Sequence, residues 1–235
     1  MSATKAIRET PVLEATNSAK TAEVYGDLNY GPGLAAKFMR ASHKVCERAF
    51  GPKTSFAQVL EVGAGSGFHI QSVRHRFDRY VMTDLNPDYL RHIAANVASK
   101  LPGKIEVDAQ DATKLTYADN SFDRVIATHV LEHLPNPHDV LIEWARVLKP
   151  GGLLSIVLPC DPGIAWRVGR HMGPRADAEK QNIAYDYWMA REHVNAIGNL
   201  QTFIRHTFPK RKEIWSPLPV PLFDVNLFFV CHAYV

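Results

Sequence analysis

Val59-Leu60-Glu61-Val62-Gly63-Ala64-Gly65-Ser66-Gly67 is the stretch on which the reading of this chain turns. A short apolar run breaks at once into Gly-x-Gly-x-Gly, and a helical pattern follows. Such a run suits a strand covered on both faces. Glycines at its tip permit a tight turn and let a bound molecule come close to the backbone. In an open α/β sheet this is the crevice where ligands sit. A dinucleotide fingerprint, Gly-x-Gly-x-x-Gly, would place a third glycine at position 68, which is Phe68. The loop therefore suits passage beneath an aminoacyl and ribose group better than a cradle for a pyrophosphate. Gly-rich turns also arise for structural reasons alone, so the downstream residues must carry weight.

Outward from this strand, residues 79–83, 104–109, 124–128 and 152–158 read as four more strands. The segments between them have helical spacing. Asn86-Pro87 predicts a helix start, with Asn as cap and Pro in the first turn, ahead of Leu90, Ile93, Ala94 and Val97. Asn136-Pro137 predicts the same device ahead of Val140, Leu141, Trp144, Val147 and Leu148, and Lys149-Pro150-Gly151-Gly152 predicts the stop. Strand and helix in alternation imply a doubly wound, Rossmann-like α/β fold with right-handed crossovers. Before it, Leu34, Phe38, Ala41, Val45 and Ala49 predict one buried face of a helix over 34–50. After it, an insert at about 160–208, rich in aromatics and arginine, is expected to hold two or three helices. A final strand pair follows the Pro217, Pro219 and Pro221 turn.

The 235 residues, 46% hydrophobic and 22% charged, exclude a disordered or collagen-like chain. A net charge of +3 is too small to argue for a nucleic-acid partner, and none is expected. Cys46, Cys160 and Cys231 are odd in number and widely spaced, which suggests neither a disulfide framework nor a metal site; no metal is expected. The first residues lack an apolar signal core and no window resembles a membrane span. A cytoplasmic protein is the expectation.

Acidic residues close the next two strands. Asp84 ends the second, about 20 residues past the glycines, where a carboxylate can hold a ribose cis-diol. Asp111 follows the third and offers an acceptor to an exocyclic amine. The fourth strand delivers Thr128 and His129 to the sheet edge, ahead of Leu131-Glu132-His133-Leu134.

Taken together, Leu60 to Gly67, Asp84, Asp111, Phe122-Asp123 with Leu131-Glu132-His133-Leu134, and Leu148-Lys149-Pro150-Gly151-Gly152 resemble the class I S-adenosylmethionine-dependent methyltransferases, of the type 11-like group. The resemblance covers roughly residues 55–160. It implies a seven-stranded sheet with an antiparallel last strand and a helical lid. It also implies S-adenosyl-L-methionine as cofactor. Gly63, Ala64, Gly65 and Gly67 would hold the methionine part, with Glu61 steadying the loop. Asp84 and Leu85 would meet the ribose, and Asp111 and Ala112 the adenine. Thr128 and His129 would line the transfer site, with Tyr25 and Tyr30 as covers. Residues 1–54 would form an N-terminal helical cap and 55–235 the methyltransferase domain.

The catalytic candidates are His129, placed where an acceptor should lie, and His193, within the insert; either suits a general base. Arg167 and Arg170 recur at helical spacing and suit a clamp for an anionic substrate, although a solvated helix face fits the same spacing. The acceptor is expected to be a small molecule, with an anionic saccharide or lipid precursor as the preferred class. RNA or protein as acceptor, a nicotinamide-dependent oxidoreductase and a non-catalytic S-adenosylmethionine-binding protein are the competing readings.

Overall fold

The structure is a computed structural model that describes residues 34–180 and 183–235. Tyr25 and Tyr30 lie outside the described residues. Seven strands form one sheet: β1 (Gln58–Val62), β2 (Arg79–Asp84), β3 (Ile105–Ala109), β4 (Phe122–Thr128), β5 (Leu148–Pro159), β6 (Arg211–Ser216) and β7 (Phe228–Tyr234). Their order is β3-β2-β1-β4-β5-β7-β6. β1 to β5 run parallel, whereas β7 lies antiparallel to both β5 and β6. The doubly wound sheet with its reversed last strand is thus present. The strand order reverses between β1 and β4, so the crevice opens beside the glycine loop.

Helices cover both faces: α1 (Leu34–Glu47), α2 (Pro87–Asn96), α3 (Pro137–Arg146), α4 (Ile164–His171), α5 (Pro174–Lys180), α6 (Tyr185–Glu192) and α7 (Ile197–Thr207). The side chain of Asn86 accepts a hydrogen bond from the Asp88 amide, as a cap should, a contact worth about 1 kcal/mol. Asn136 does not repeat it. It adopts the left-handed region (φ 48°) with no side-chain cap bond, so the second Asn-Pro works through backbone shape and the proline alone. None of the described helices is long and apolar enough to cross a membrane.

One face of the sheet is apolar. Leu60, Val62, Val125, Ala127, Leu154, Ile156, Phe229 and Cys231 meet α3 and α7, with Trp144 fully buried among them. Each such side chain contributes roughly 1.5–3 kcal/mol by leaving water. The opposite face differs. Alternation along the strands sends Glu61, Arg124, Ser155 and His232 there, all buried. They are covered by α1, and this corrects the face expected for that helix. Its buried residues are Ala36, Met39, Ser42, His43, Cys46 and Glu47, while Phe38, Ala41 and Ala49 are exposed. An apolar stripe was the wrong guide because this stretch of sheet is itself polar, so polar helix residues gain partners by facing it.

Among the described residues, the insert contains four helices rather than two or three. Of these, α7 adds Ile197, Leu200 and Ile204 to the main core. The other three, α4 to α6, stand beyond the C-terminal edge of the strands. Ala178, Tyr185, Trp188 and Met189 pack together there as a small core of their own.

Candidate active site

The loop after β1 takes its shape from three glycines at positive φ: Gly63 (64°), Gly65 (53°) and Gly67 (73°). They do different work. A Cβ on Gly63 would come within 2.6 Å of Val130 Cγ2, so this glycine lets the loop abut the segment after β4. A Cβ on Gly67 would press on Val97, Met82 and Ile93 at 3.1–3.3 Å, so this one lets the chain pack on α2. A Cβ on Gly65 meets nothing within 4 Å. No packing among the described residues requires that bare position; its left-handed backbone favours glycine, and the open space beside it admits a ligand.

Asp84 lies beside it. Its Oδ2 accepts from the Gly65 amide (2.9 Å) and Oδ1 from the Asn86 amide (2.8 Å). Burial pushes the carboxyl pKa up, while the N–H groups of Asn86, Gly65 and Leu85 pull it back. Each oxygen keeps a lone pair for a diol. Leu85 is exposed next to it. Behind the loop, Glu61 is buried and accepts from Tyr80 Oη (2.7 Å); its Oε1 has no partner among the described residues. Burial raises its pKa. Asp111 is exposed, and its Oδ1 accepts from the amide and hydroxyl of Thr113 (2.8 and 2.7 Å). Ala112 is buried, with its carbonyl taken by Trp144 Nε1 (2.9 Å). These residues fit an adenosine-bearing group: a bare glycine, a half-buried carboxylate and an apolar flank lie along one edge.

His129 follows β4 at φ 59°, a conformation that turns its ring inward. Ser42 Oγ gives its proton to the Met39 carbonyl (2.7 Å) and so accepts from His129 Nε2 (3.0 Å). The other ring nitrogen faces Glu132 Oε1 at 3.7 Å. Thr128 is buried just before it. His129 borders a cavity of about 400 Å³ that lies under α4 to α6. Phe38, Met39, Trp166, Tyr185, Trp188, Met189 and Phe228 make its apolar wall, and His129, Glu132, Arg170 and His193 its polar end. Because Gly63 packs against Val130, the glycine loop and this cavity share the 129–130 segment.

His193 is delivered to the same end by short-range bonding between the lid and the turn after β4. The amide of Asn195 donates to the Glu132 carbonyl (3.1 Å), and its side chain donates to the carbonyls of Leu131 (3.2 Å) and Leu134 (2.7 Å). His193 Nδ1 lies 2.9 Å from Asp161 Oδ2, and Arg170 stands 3.6 Å from the same oxygen. Burial alone would raise the Asp161 pKa; His193 and Arg170 outweigh it and bring the carboxyl below its usual range. His133 Nδ1 bonds the Glu192 carbonyl (2.8 Å), and burial lowers its pKa to about 4, so the ring is neutral near pH 7. Glu132 is buried, and its Oε2 has no partner among the described residues.

His129 and His193 therefore both border one cavity. The two arginines do not. Arg170 lines the cavity while bound to Asp161, whereas Arg167 is exposed and outside it. Sequence reasoning missed Ser42, Glu132, Asp161 and Asn195 as parts of the site. Only the acidic residue in Leu131-Glu132-His133-Leu134 left a visible trace, since the other three act through contacts far apart along the chain.

Residues 60–156 match the family model of the methyltransferase domain. The methyltransferase GfsG of Streptomyces halstedii is 36% identical over 101 residues, 42% of this chain and 36% of that protein. The chloroplastic 2-methyl-6-phytyl-1,4-hydroquinone methyltransferase 1 of rice is 33% identical over 107 residues, 45% of this chain and 32% of that protein. Both matches span about a third of the relative's length. Among solved structures, phosphoethanolamine N-methyltransferase 2 of Haemonchus contortus, in complex with S-adenosyl-L-methionine, superposes with a TM-score of 0.61 at 14% identity, covering 94% of this chain and 58% of that one.

Proposed function

We propose that the chain is a class I S-adenosylmethionine-dependent methyltransferase, as the match over residues 60–156 supports, and that it methylates an oxygen or nitrogen of a small, apolar-bodied acceptor held beneath α4 to α6. The observation that carries this reading is the largely apolar cavity bordered by His129, next in sequence to Val130, against which Gly63 of the glycine loop packs. A space of about 400 Å³ suits a small molecule, and a sugar would leave its hydroxyls facing apolar walls. The lipid-precursor half of the expected acceptor class is therefore favoured over the saccharide half. The rice relative is named for an acceptor with an apolar phytyl chain, which agrees.

S-adenosylmethionine, when bound, supplies a methyl group on a sulfonium sulfur for in-line displacement by an acceptor lone pair. The protein's tasks are to hold, align and exclude water. Gly63, Ala64, Gly65 and Gly67 hold the methionine part, with Glu61 behind them. Asp84 and Leu85 take the ribose, Asp111 Oδ2 and Ala112 the adenine. His129, anchored by Ser42, takes the proton of an acceptor hydroxyl. His193, fixed by Asp161, bounds the reacting end of the cavity, and Arg170 closes it. Arg167 has no part in this site. The three cysteines are free and buried, which suits the reducing cytoplasm we propose as its location.

Calorimetry with S-adenosylhomocysteine tests the reading. Wild-type protein should bind it, and Asp84→Ala should weaken binding by about 1–3 kcal/mol through lost hydrogen bonds. Absence of binding would remove the enzymatic assignment. Transfer of labelled methyl to RNA, and to none of a panel of apolar alcohols and amines, would overturn the acceptor class.

A further inference from the structure

We propose that Glu132, His133 and His193 bind a divalent transition-metal cation at the polar end of the acceptor cavity, with Asp161 and the Glu192 carbonyl orienting the two rings. One ligand atom from each of the three residues lies within 4.8 Å of the others. The hydrogen bonds around them assign the tautomers. His133 Nδ1–H donates to the Glu192 carbonyl at 2.8 Å, so its Nε2, 3.9 Å from Glu132 Oε1, carries the lone pair. His193 Nδ1–H donates to Asp161 Oδ2 at 2.9 Å, which leaves its second nitrogen as a lone pair too. A carboxylate or carbonyl behind each imidazole is the arrangement that orients metal-binding histidines and raises their basicity.

The carboxylate supplies the second, independent sign. Glu132 is 2% exposed, and its Oε2 is buried with no partner among the described residues. A buried carboxylate oxygen without a donor is costly unless something positive meets it. Cys46, Glu47 and His69 also cluster, but there the charge is already matched by Arg124 at 2.7 Å. Among the described residues no arginine or lysine pairs with Glu132; only the imidazoles of His129 and His133 face its Oε1, at 3.7 and 3.9 Å.

Two imidazoles and one carboxylate favour Zn²⁺, Co²⁺ or Fe²⁺ over the oxygen-seeking Mg²⁺ and Ca²⁺. With metal–donor distances of about 2.1 Å, tetrahedral donors stand about 3.4 Å apart, so the three groups would close by about an ångström. Three protein ligands leave a position open toward the cavity. The role in transfer rests on the reading above. A cation held there would make an acceptor hydroxyl at its open position more acidic, and His129, whose ring faces the same carboxylate, would take the proton. His193 would then be a ligand rather than a base.

The test uses the full chain, stripped with a chelator and titrated with Co²⁺, followed by visible d–d absorption and calorimetry. S-adenosylhomocysteine binding is measured on the same samples. Wild-type protein should show saturable d–d bands and a higher unfolding temperature with the cation. Glu132→Gln and His193→Gln should lose the bands while still binding S-adenosylhomocysteine. Asp161→Asn, which keeps an acceptor for His193 and serves if either of those variants fails to fold, should weaken Co²⁺ by about 10–100-fold. Absence of saturable binding by wild type, or binding undiminished in the folded variants, overturns the site. Loss of S-adenosylhomocysteine binding with Co²⁺ binding intact would strike the methyltransferase reading and leave the cation site standing.

Discussion

Arg124 on β4 and Glu47 at the end of α1, 77 residues apart, meet through hydrogen bonds of 2.7 and 3.0 Å, with both side chains at most 1% exposed. The pair is well supported. Ser155 Oγ accepts from Arg124 Nε (3.2 Å) and Nη2 (3.0 Å), and the guanidinium lies 4.3 and 5.3 Å from the rings of Phe50 and Phe56. His69 Nε2 reaches the same Glu47 oxygen at 3.0 Å. Burying either charge alone would cost several kcal/mol, so each residue makes the other tolerable. This contact seats α1 on the sheet, and α1 in turn carries Ser42 to His129.

Removing one partner should leave a buried charge uncompensated. Glu47→Gln or Arg124→Met is expected to destabilise the fold by about 3–5 kcal/mol in urea unfolding. The double variant Glu47→Met/Arg124→Met should lose less than the sum of the two singles. Single variants with near wild-type midpoints would show that the pair contributes nothing.

Gly65 separates binding from folding. Alanine there has room, and its only structural penalty is the left-handed backbone, about 1–2 kcal/mol. The Cβ would enter the space assigned to the cofactor, so S-adenosylhomocysteine affinity should fall by about tenfold or more, equivalent to ~1.4 kcal/mol. Gly63→Ala is the contrast, because its Cβ meets Val130 and should lower thermal stability further. Equal affinity of wild type and Gly65→Ala would misplace the ligand.

For the proton acceptor, His129→Ala should slow methylation of a hydroxyl acceptor by about 10²–10⁴-fold with little change in cofactor affinity. Ser42→Ala removes only the group that accepts from Nε2. It should give a smaller loss, with cofactor affinity unchanged. Wild-type rates for His129→Ala would remove it from the mechanism.

Acid should unfold the protein in two stages. Burial, together with the Arg124 charge, lowers the His232 pKa to about 4. Between about pH 6.5 and 4 the unfolded chain binds a proton there that the folded chain refuses, so stability falls as pH drops through that window. The shift amounts to on the order of 3 kcal/mol. His43, lowered by burial and by His69 and His129, acts in the same direction. Glu47 follows. Burial alone would raise its pKa, but Arg124 and His69 hold it far below the usual range, so its contribution is present above about pH 4.5 and is lost below it. Unfolding temperatures recorded from pH 7 to 3 should show both stages, with the first reduced in His232→Asn. A flat profile down to pH 4.5 would contradict it.

Much of the candidate cofactor edge was legible because its signals are local. The glycine loop, Asp84 and the Asn86 cap each depend on neighbours within a few residues. The polar face under α1 was not legible, although Glu61, Arg124, Ser155 and His232 sit at alternating positions in otherwise apolar strands. A lone charged residue in such a strand does not announce its partner, and Glu47 lies on a helix whose apolar residues pointed to the other face. Asn136 misled for a related reason: the Asn-Pro pair is the same as at Asn86, but the incoming backbone is left-handed there.

By itself the sequence determined the strand-and-helix alternation, the bend after β1 and the acid at the end of β2, since backbone preference and burial periodicity act over short spans. The tertiary structure alone decided that His129, Glu132 and His193 border one cavity, with Ser42 bonded to His129 and Asp161 to His193, and that Arg167 stays out of it. Those meetings depend on how α1 and the lid helices settle on the sheet. That outcome follows from the packing and ion pairing of the whole chain, and no short window of residues encodes it.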